Sequence, residues 1–183
     1  MTFIATKWTT EDYHRMIAAG ILDEHKVELL KGEIVDMSPE GEAHAYCSDE
    51  ADEYLSGLLG ERAKVRQAKP ITLPNDSEPE PDIAIVQRLG REYREHHPYA
   101  ENIFWVIEYS NSTLEKDLEK KSKIYAEAGI QEYWVVNLKT LHLIVFREPL
   151  NGDYATKFTL DTGTIKPLAF DDIDVLVERI INK

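Results

Sequence analysis

The chain of 183 residues contains a single cysteine, Cys47, and this scarcity limits its chemistry. One thiol cannot form an internal disulfide, and a zinc site built from thiolates needs several of them. We therefore interpret Cys47 as a small residue of a helix in a reducing compartment.

Long apolar runs are also missing. No stretch approaches the roughly 20 apolar residues of a membrane span, and the first ten residues lack a basic segment followed by an apolar one. We expect a soluble, cytoplasmic protein with no membrane partner. With 43% hydrophobic residues and no linker rich in Pro, Gly or Ser, we predict one domain over residues 1–183.

Basic residues are few, and the formal net charge is −13. Proteins that coat nucleic acid rely on Lys and Arg to neutralise phosphates, so this balance argues against such a protein. It does not exclude an enzyme, which needs only a local basic patch. Carboxylates can also attract metal ions.

The hydrophobic pattern predicts alternating helices and strands, and hence an α/β (α+β) fold with a central mixed sheet flanked by helices. Predicted helices begin at Thr9, at Ser38–Pro39 and at Leu114, and the tail ends in a short helix. Predicted strands cover residues 27–30, 33–37, 64–73, 83–86, 104–108, 132–137, 141–146 and 154–160.

Three carboxylates lie where apolar residues are expected. Asp82 starts an apolar strand after Pro81, Glu108 lies within another apolar strand, and Glu28 lies in a predicted hairpin. Each has an ordinary explanation: turn chemistry for Asp82, a locally satisfied acid for Glu108, and the solvent face of an edge strand for Glu28.

The segment after Glu108 adds further polar groups. Ser112 and Glu115 have the spacing of a capping box. Asp117, Lys121 and Tyr125 then follow at i, i+4 spacing, which places them on one face of the predicted helix. Lys120 and Lys123 are close in sequence, but this spacing favours Lys121.

Two acids at the ends of neighbouring strands suit a hard divalent ion, and magnesium in particular uses one or two protein carboxylates and keeps several waters. A nearby lysine completes a hydrolytic site, because its ammonium offsets charge that builds on phosphorus. His44, near the start of a helix, either points into this cleft or is an ordinary surface or partly buried histidine.

One segment, 88–101, carries the only basic cluster of note. We expect it to form a loop or short helix beside the site. Its basic residues are Arg88, Arg91, Arg94, His96 and His97.

The order of elements resembles the PD-(D/E)XK nuclease superfamily. More specifically, the chain resembles the Uma-type family of restriction-endonuclease-like bacterial proteins, long catalogued as a domain of unknown function. The resemblance covers residues 26–146 and rests on V-E-L-L-K-G-E (27–33), S-P-E-G with His44 (38–44), P-D-I-A-I-V (81–86) and the run from Val106 through S-T, Asp117, Lys121 and Tyr125 to Val136.

The resemblance implies a restriction-endonuclease-like core in which Asp82 and Glu108 bind Mg²⁺ or Mn²⁺, with the Tyr109 backbone carbonyl as a further ligand. The position two after Glu108 is Ser110, where the superfamily motif has lysine. The family supplies this lysine from the following helix, which gives its role to Lys121. Glu28 is grouped with the catalytic residues; His44, Asp117 and Tyr125 support them.

The predicted function is therefore metal-dependent hydrolysis of DNA phosphodiester bonds. A rival prediction from another class is a nuclease-fold protein that no longer cuts and acts as a binding or regulatory module, as a homodimer; the acidity of the chain favours it. Hydrolysis of another phosphate ester would use the same residues.

Overall fold

A computed structural model describes residues 5–111 and 113–183, and its centre is a six-stranded sheet. The strands are β3 (Lys64–Gln67), β4 (Ile83–Val86), β5 (Ile103–Ser110), β6 (Glu132–Asn137), β7 (His142–Leu150) and β8 (Asp153–Leu160). They lie side by side in this order, and within this sheet only β5 and β6 run parallel to each other. The predicted α/β fold with a central mixed sheet is confirmed.

Helices cover both faces of this sheet: α2 (Glu42–Leu59) and α4 (Val177–Ile181) lie on one face, and α3 (Ser122–Glu127) lies on the other. A further helix, α1 (Thr10–Ala18), contacts Val27 through the hydroxyl of its buried Tyr13. Side chains alternate along β5, so Trp105, Ile107 and Tyr109 pack in the core beneath α2 and α4. Val106 packs in the other core, beneath α3, which places Glu108 on the α3 face.

Two smaller sheets lie beside the central one. The predicted hairpin is present as β1 (Val27–Leu30) and β2 (Glu33–Asp36). Its two-residue turn has positive φ at Lys31 (50°) and Gly32 (74°), which matches the twist of the flanking strands. Near the C-terminus, β9 (Thr164–Ile165) pairs with β10 (Val175–Leu176), which the sequence did not predict.

Helix α2 begins later than predicted. Its N-cap is Gly41 and not Ser38, and Gly41 has extended angles (φ −87°, ψ 167°). Just before Ser38, the Met37 N–H donates to the backbone carbonyl of Lys26 (2.8 Å), which keeps this part of the chain bonded to the start of the hairpin. An ion pair of Lys26 with Glu40 (3.2 Å) holds this segment against the base of the hairpin.

Strand β3 is shorter than predicted, since it ends at Gln67 and not at Leu73. Ala68 adopts a left-handed conformation (φ 44°), and Pro70 has no N–H to offer a ladder. The Ala68 N–H donates instead to the backbone carbonyl of Asp82 (3.0 Å). The turn at Ala68 therefore fixes the backbone just before β4.

The helix predicted from Leu114 to Gly129 contains a π-helical stretch, Lys116–Lys121, before α3. Such stretches are rare and often occur at functional sites. The capping box predicted at Ser112 lies outside the described residues. Among the residues that the structure describes, no helix has the length and apolar character needed to cross a membrane.

Candidate active site

The two acids singled out in the sequence meet at one end of the central sheet. Strand β4 runs antiparallel to β5, with Ile83 opposite Ile107. Continuing this register by one residue places Asp82 opposite Glu108 on the same face, where Cβ atoms of facing residues are about 4.5–5.5 Å apart. The register of the sheet thus brings together two side chains that are 26 positions apart.

Asp82 is held by a backbone group and by an imidazole. Its Oδ2 accepts the Tyr109 N–H (2.6 Å) and lies 3.0 Å from Nε2 of His44, which reaches it from α2. Burial disfavours the imidazolium, but the Asp82 carboxylate outweighs it and raises the pKa of His44. His44 therefore belongs to this site and is not an isolated surface residue.

The backbone of Tyr109 also faces Asp82. The Ser110 carbonyl accepts the Leu138 N–H on the β6 side of β5. Backbone groups of successive residues point to opposite sides of a strand, so the Tyr109 N–H and carbonyl point towards β4 and Asp82.

Glu108 is 4% exposed and accepts two hydrogen bonds on Oε1, from Lys121 Nζ (2.8 Å) and from the Tyr125 hydroxyl (2.8 Å). Burial raises the pKa of Glu108 to about 8, and repulsion from Asp82, Asp117 and Glu28 acts in the same direction. The attraction of Lys121 lowers the pKa but is outweighed. Burial likewise raises the pKa of Tyr125 well above its usual range, so its hydroxyl remains a donor.

Glu28 is 1% exposed and faces the same cluster from β1. Its carboxylate lies 2.7 Å from Lys116 Nζ and 3.4 Å from Lys121 Nζ, and the Glu80 N–H donates to it (3.4 Å). Burial opposes its ionisation, but Lys121 and Lys116 outweigh burial and lower the pKa of Glu28. The explanation of Glu28 as a solvent-facing residue of an edge strand is wrong.

Lys121 lies between the two glutamates and is 5% exposed. Burial disfavours its charge, but Glu108, Glu28 and Asp117 together raise its pKa above the ordinary value. The ammonium is therefore fixed, protonated and almost out of reach of solvent.

Asp117 and Ser110 form the back of the cluster. Asp117 is 3% exposed, and its Oδ2 accepts the Ser110 hydroxyl (2.6 Å). Its backbone carbonyl accepts the Tyr133 hydroxyl (3.2 Å). Ser110, at the position where the superfamily motif has lysine, thus ties β5 to the π-helical stretch that carries Lys121.

These groups line a cavity of about 220 Å³. Glu28, His44, Asp82, Glu108, Asp117 and Lys121 are all on its wall, and the Ser38–Gly41 segment closes one side. Tyr125 contacts Glu108 from behind. The structure therefore brings together every side chain that the sequence proposed for the site.

Among the cavity residues that were not predicted from the sequence, Lys116 and Glu80 contact Glu28. Lys116 directly precedes Asp117, but an α-helical spacing places it off the face shared with Lys121, and the π-helical stretch was not foreseen. Glu80 was read only as part of an acidic loop. Its position two residues before Asp82 was a signal, since an extended segment presents alternate residues on one face.

The basic segment does not lie where the sequence suggested. No residue of 88–101 lines this cavity, whereas Tyr93, Arg94, His96 and His97 line a different one together with α1. The segment forms short 3₁₀ turns, Gly90–Arg94 and Ala100–Asn102, and Tyr99 bridges to Thr72. The basic segment therefore forms the expected short turns, but it lines a separate cavity and not that of the candidate site.

The side chains of the cavity suit some metal ions and not others. Within the described ranges 5–111 and 113–183, no three His, Cys, Asp or Glu side chains are arranged to hold one. Magnesium does not require three, because it uses one or two protein carboxylates with waters. Asp82, Glu108 and a carbonyl directed towards them fit that ion, and do not fit a zinc site of three or four side chains.

Comparisons with known proteins bear on the fold and on the family. The crystal structure of "a putative nuclease belonging to DUF820" from Anabaena variabilis ATCC 29413 is similar over 95% of this chain and 97% of that one, with a TM-score of 0.70 and 16% sequence identity. That likeness shows a shared fold. No curated protein matches the chain. The model of the Uma2 family, described as "Putative restriction endonuclease", matches residues 10–177, and the chain therefore belongs to the Uma2 family.

Proposed function

We propose that this protein is a metal-dependent endonuclease that hydrolyses DNA phosphodiester bonds with Mg²⁺ or Mn²⁺. The observation that carries the proposal is the register that sets Asp82 opposite Glu108 at the wall of a cavity, with the Lys121 ammonium 2.8 Å from Glu108. Membership of a family described as restriction endonucleases supports DNA as the substrate.

Asp82, Glu108 and the Tyr109 carbonyl would hold the ion. When bound, the ion supplies Lewis-acid activation of the phosphate and lowers the pKa of water. His44 and the Tyr109 N–H fix the Asp82 carboxylate, and Tyr125 and Lys121 fix that of Glu108. Both acids are thus oriented before substrate arrives, which avoids reorganisation during the reaction.

The two lysines of the cavity divide the role that the sequence gave to Lys121. Lys121 is buried between two carboxylates and its pKa is raised, so it acts as a positioning residue and not as a base. The Lys116 side chain is 29% exposed and reaches the same cavity from the π-helical stretch. Lys116 is the ammonium that can meet a substrate phosphate and offset the charge that builds as water attacks phosphorus.

The test is a cleavage assay on plasmid and linear DNA with Mg²⁺ or Mn²⁺. Asp82→Asn and Glu108→Gln preserve side-chain shape, and each should reduce cleavage by more than about 100-fold, since even outer-shell changes cost 10- to 100-fold at metal sites. Circular dichroism should show both variants folded. Retention of cleavage by both variants would refute the site.

A second candidate is a nuclease-fold module that binds without cutting, as a homodimer. One observation favours it: each acid already has one oxygen engaged by other side chains, Oδ2 of Asp82 by His44 and Oε1 of Glu108 by Lys121 and Tyr125. In that case the wild-type protein does not cleave DNA with Mg²⁺ or Mn²⁺. It is a dimer by light scattering, and it binds DNA in a gel-shift assay.

A further inference from the structure

A second cavity, of about 450 Å³, lies between α1 and the segment that carries the basic cluster. Its wall includes His14, Glu78, Tyr93, Arg94, His96 and Tyr99, and it shares no residue with the candidate active site. The proposed chemistry at Asp82 and Glu108 makes no use of this cavity. Its residues combine aromatic rings with one arginine and two carboxylates.

The aromatic part is a stack. The rings of His96 and Tyr99 are parallel within 14° and 4.4 Å apart, and Tyr93 meets His96 edge-on at 6.1 Å. A contact between His96 Nδ1 and the His97 carbonyl (2.7 Å) fixes the imidazole. Tyr99 is 41% exposed, although it is a large aromatic residue. A fixed, exposed ring is a surface on which another flat ring can stack.

The polar part is a buried carboxylate. Glu78 is 3% exposed, and its oxygens lie 2.8–2.9 Å from Nε2 of His14 and accept the Thr72 hydroxyl (2.8 Å). An ionised carboxylate offers about four acceptor positions, so it can take a further N–H donor from a ligand that enters the cavity. Base edges carry such donors.

The charges around the cavity suit a nucleotide better than a plain anion. Arg94 and three histidines, His14, His96 and His97, face two acids, Glu78 and Glu95. Burial lowers the pKa of His97, and Arg66, His14 and His96 lower it further, whereas Glu78 raises it. One arginine next to stacked rings provides a phosphate contact beside a base contact.

The position of the cavity links it to the active site. Glu78 and Asp82 belong to one segment and are four residues apart, which limits their Cα separation to about 14 Å. An unpaired strand can extend at least as far per nucleotide as the roughly 3.4 Å of each strand in B-form DNA. A few nucleotides can therefore span the distance from a phosphate at Asp82 to Glu78.

We propose that this second cavity binds an unpaired nucleobase of a single-stranded DNA segment, stacked on Tyr99 and hydrogen-bonded to Glu78. The base must be unpaired because both its face and its edge are engaged, and a stacked duplex hides the faces. The inference rests on the proposed nuclease function for its choice of ligand, and it adds a specificity subsite to it.

The experiment measures fluorescence anisotropy of a labelled single-stranded 12-nucleotide DNA with metal-free protein in EDTA. Tyr99→Ala should weaken binding about 5- to 150-fold, which corresponds to the 1–3 kcal/mol of one base–aromatic stack. Tyr99→Phe should bind like wild type, because it keeps the ring. Tyr46→Ala, which removes an exposed ring from α2 outside both cavities, should also bind like wild type.

An abasic strand of the same length separates a binding role of Tyr99 from a structural one. It should bind wild type and Tyr99→Ala equally weakly, because it has phosphates but no bases. Equal affinity of wild type and Tyr99→Ala for the normal strand overturns the inference, as does failure of wild type to bind it. Cleavage by the wild type is measured separately with Mg²⁺. If the wild type binds the strand through Tyr99 but does not cleave DNA, that result counts against the nuclease proposal alone.

Discussion

Lys121 occupies an unusual environment for a lysine, since it is 5% exposed and contacts two glutamates. Lys116, five residues earlier, contacts one of the same glutamates with its side chain 29% exposed. Both lysines contact a buried glutamate, but they differ in what remains when one is removed. Without Lys121, Glu108 has no lysine partner in a site closed to solvent, whereas without Lys116, Glu28 still lies 3.4 Å from Lys121 and water can take the vacated place.

Lys121→Met should therefore destabilise the protein by about 3–5 kcal/mol. Lys116→Met should cost less, about 1–3 kcal/mol, because it removes one hydrogen-bonded partner of the buried Glu28 but leaves Lys121 beside it. Urea unfolding at pH 8 measures both. Lys120→Met, an exposed lysine on the same π-helical stretch, is the control and should be neutral. In a cleavage assay, turnover per folded, metal-loaded enzyme should fall more for Lys116→Met than for Lys121→Met. Lys116→Met should keep its metal affinity. A Lys116→Met enzyme with full turnover would contradict this role.

Glu108 makes stability of the metal-free protein depend on pH. Its pKa is raised to about 8 in the folded protein, from about 4.3 in an unfolded chain. Between these values the folded state binds one more proton than the unfolded state, so the free energy of unfolding falls as pH rises. His44, with its raised pKa, acts in the same direction near pH 7.

Glu108→Gln should flatten that dependence, because glutamine does not titrate. Chemical unfolding of both proteins in EDTA from pH 5 to pH 8.5 gives the slopes. The window excludes Glu28, whose lowered pKa affects stability only at more acidic pH. Equal slopes for wild type and Glu108→Gln would mean that Glu108 is ionised throughout.

At the scale of elements, the end of β3 and the π-helical stretch place the site. Ala68 leaves the sheet with φ 44° and donates to the Asp82 carbonyl, which fixes the start of β4. The π-helical stretch brings Lys116 into the cavity together with Asp117 and Lys121. Both features depart from regular structure, and both lie next to side chains of the candidate site.

Ala68→Gly should stabilise the protein by up to about 1 kcal/mol, because glycine adopts positive φ without the steric cost that alanine carries. Ala19→Gly is the matched control: Ala19 is an exposed helix C-cap with ordinary right-handed angles, so the same change there should destabilise by about 0.5–1 kcal/mol. Urea unfolding measures both. Changes of the same sign would contradict the strain assigned to Ala68.

At the scale of the whole molecule, the charge of −13 opposes a polyanionic substrate and favours cations. Binding of an ion to the folded state alone raises its stability, by about 2.7 kcal/mol at a hundred times the dissociation constant. Mg²⁺ or Mn²⁺ should therefore raise the melting temperature, and EDTA should reverse the rise. Asp82→Asn should show no rise. An equal rise in Asp82→Asn would place the ions elsewhere on the acidic surface.

Much of the fold followed from local patterns. Helix α1 began after Thr9 as predicted, the Lys31–Gly32 turn formed the hairpin, and the apolar runs at 83–86 and 132–137 formed central strands. Errors occurred at Ser38, where the chain is still bonded to the hairpin, and beyond Gln67, where a left-handed residue ends the strand. In both places contacts distant in sequence, with Lys26 and with Asp82, determine the path.

The sequence by itself determined which acids were anomalous, because Glu28, Asp82 and Glu108 interrupt apolar patterns that are legible along the chain. The resemblance added the expectation that the lysine comes from the following helix, because Ser110 stands at the strand position of the superfamily motif. Only the tertiary structure decided that Asp82 lies opposite Glu108, that Lys121 is buried while Lys116 is exposed, and that the basic segment lines a second cavity. These are matters of register and burial, and both depend on residues far apart in sequence.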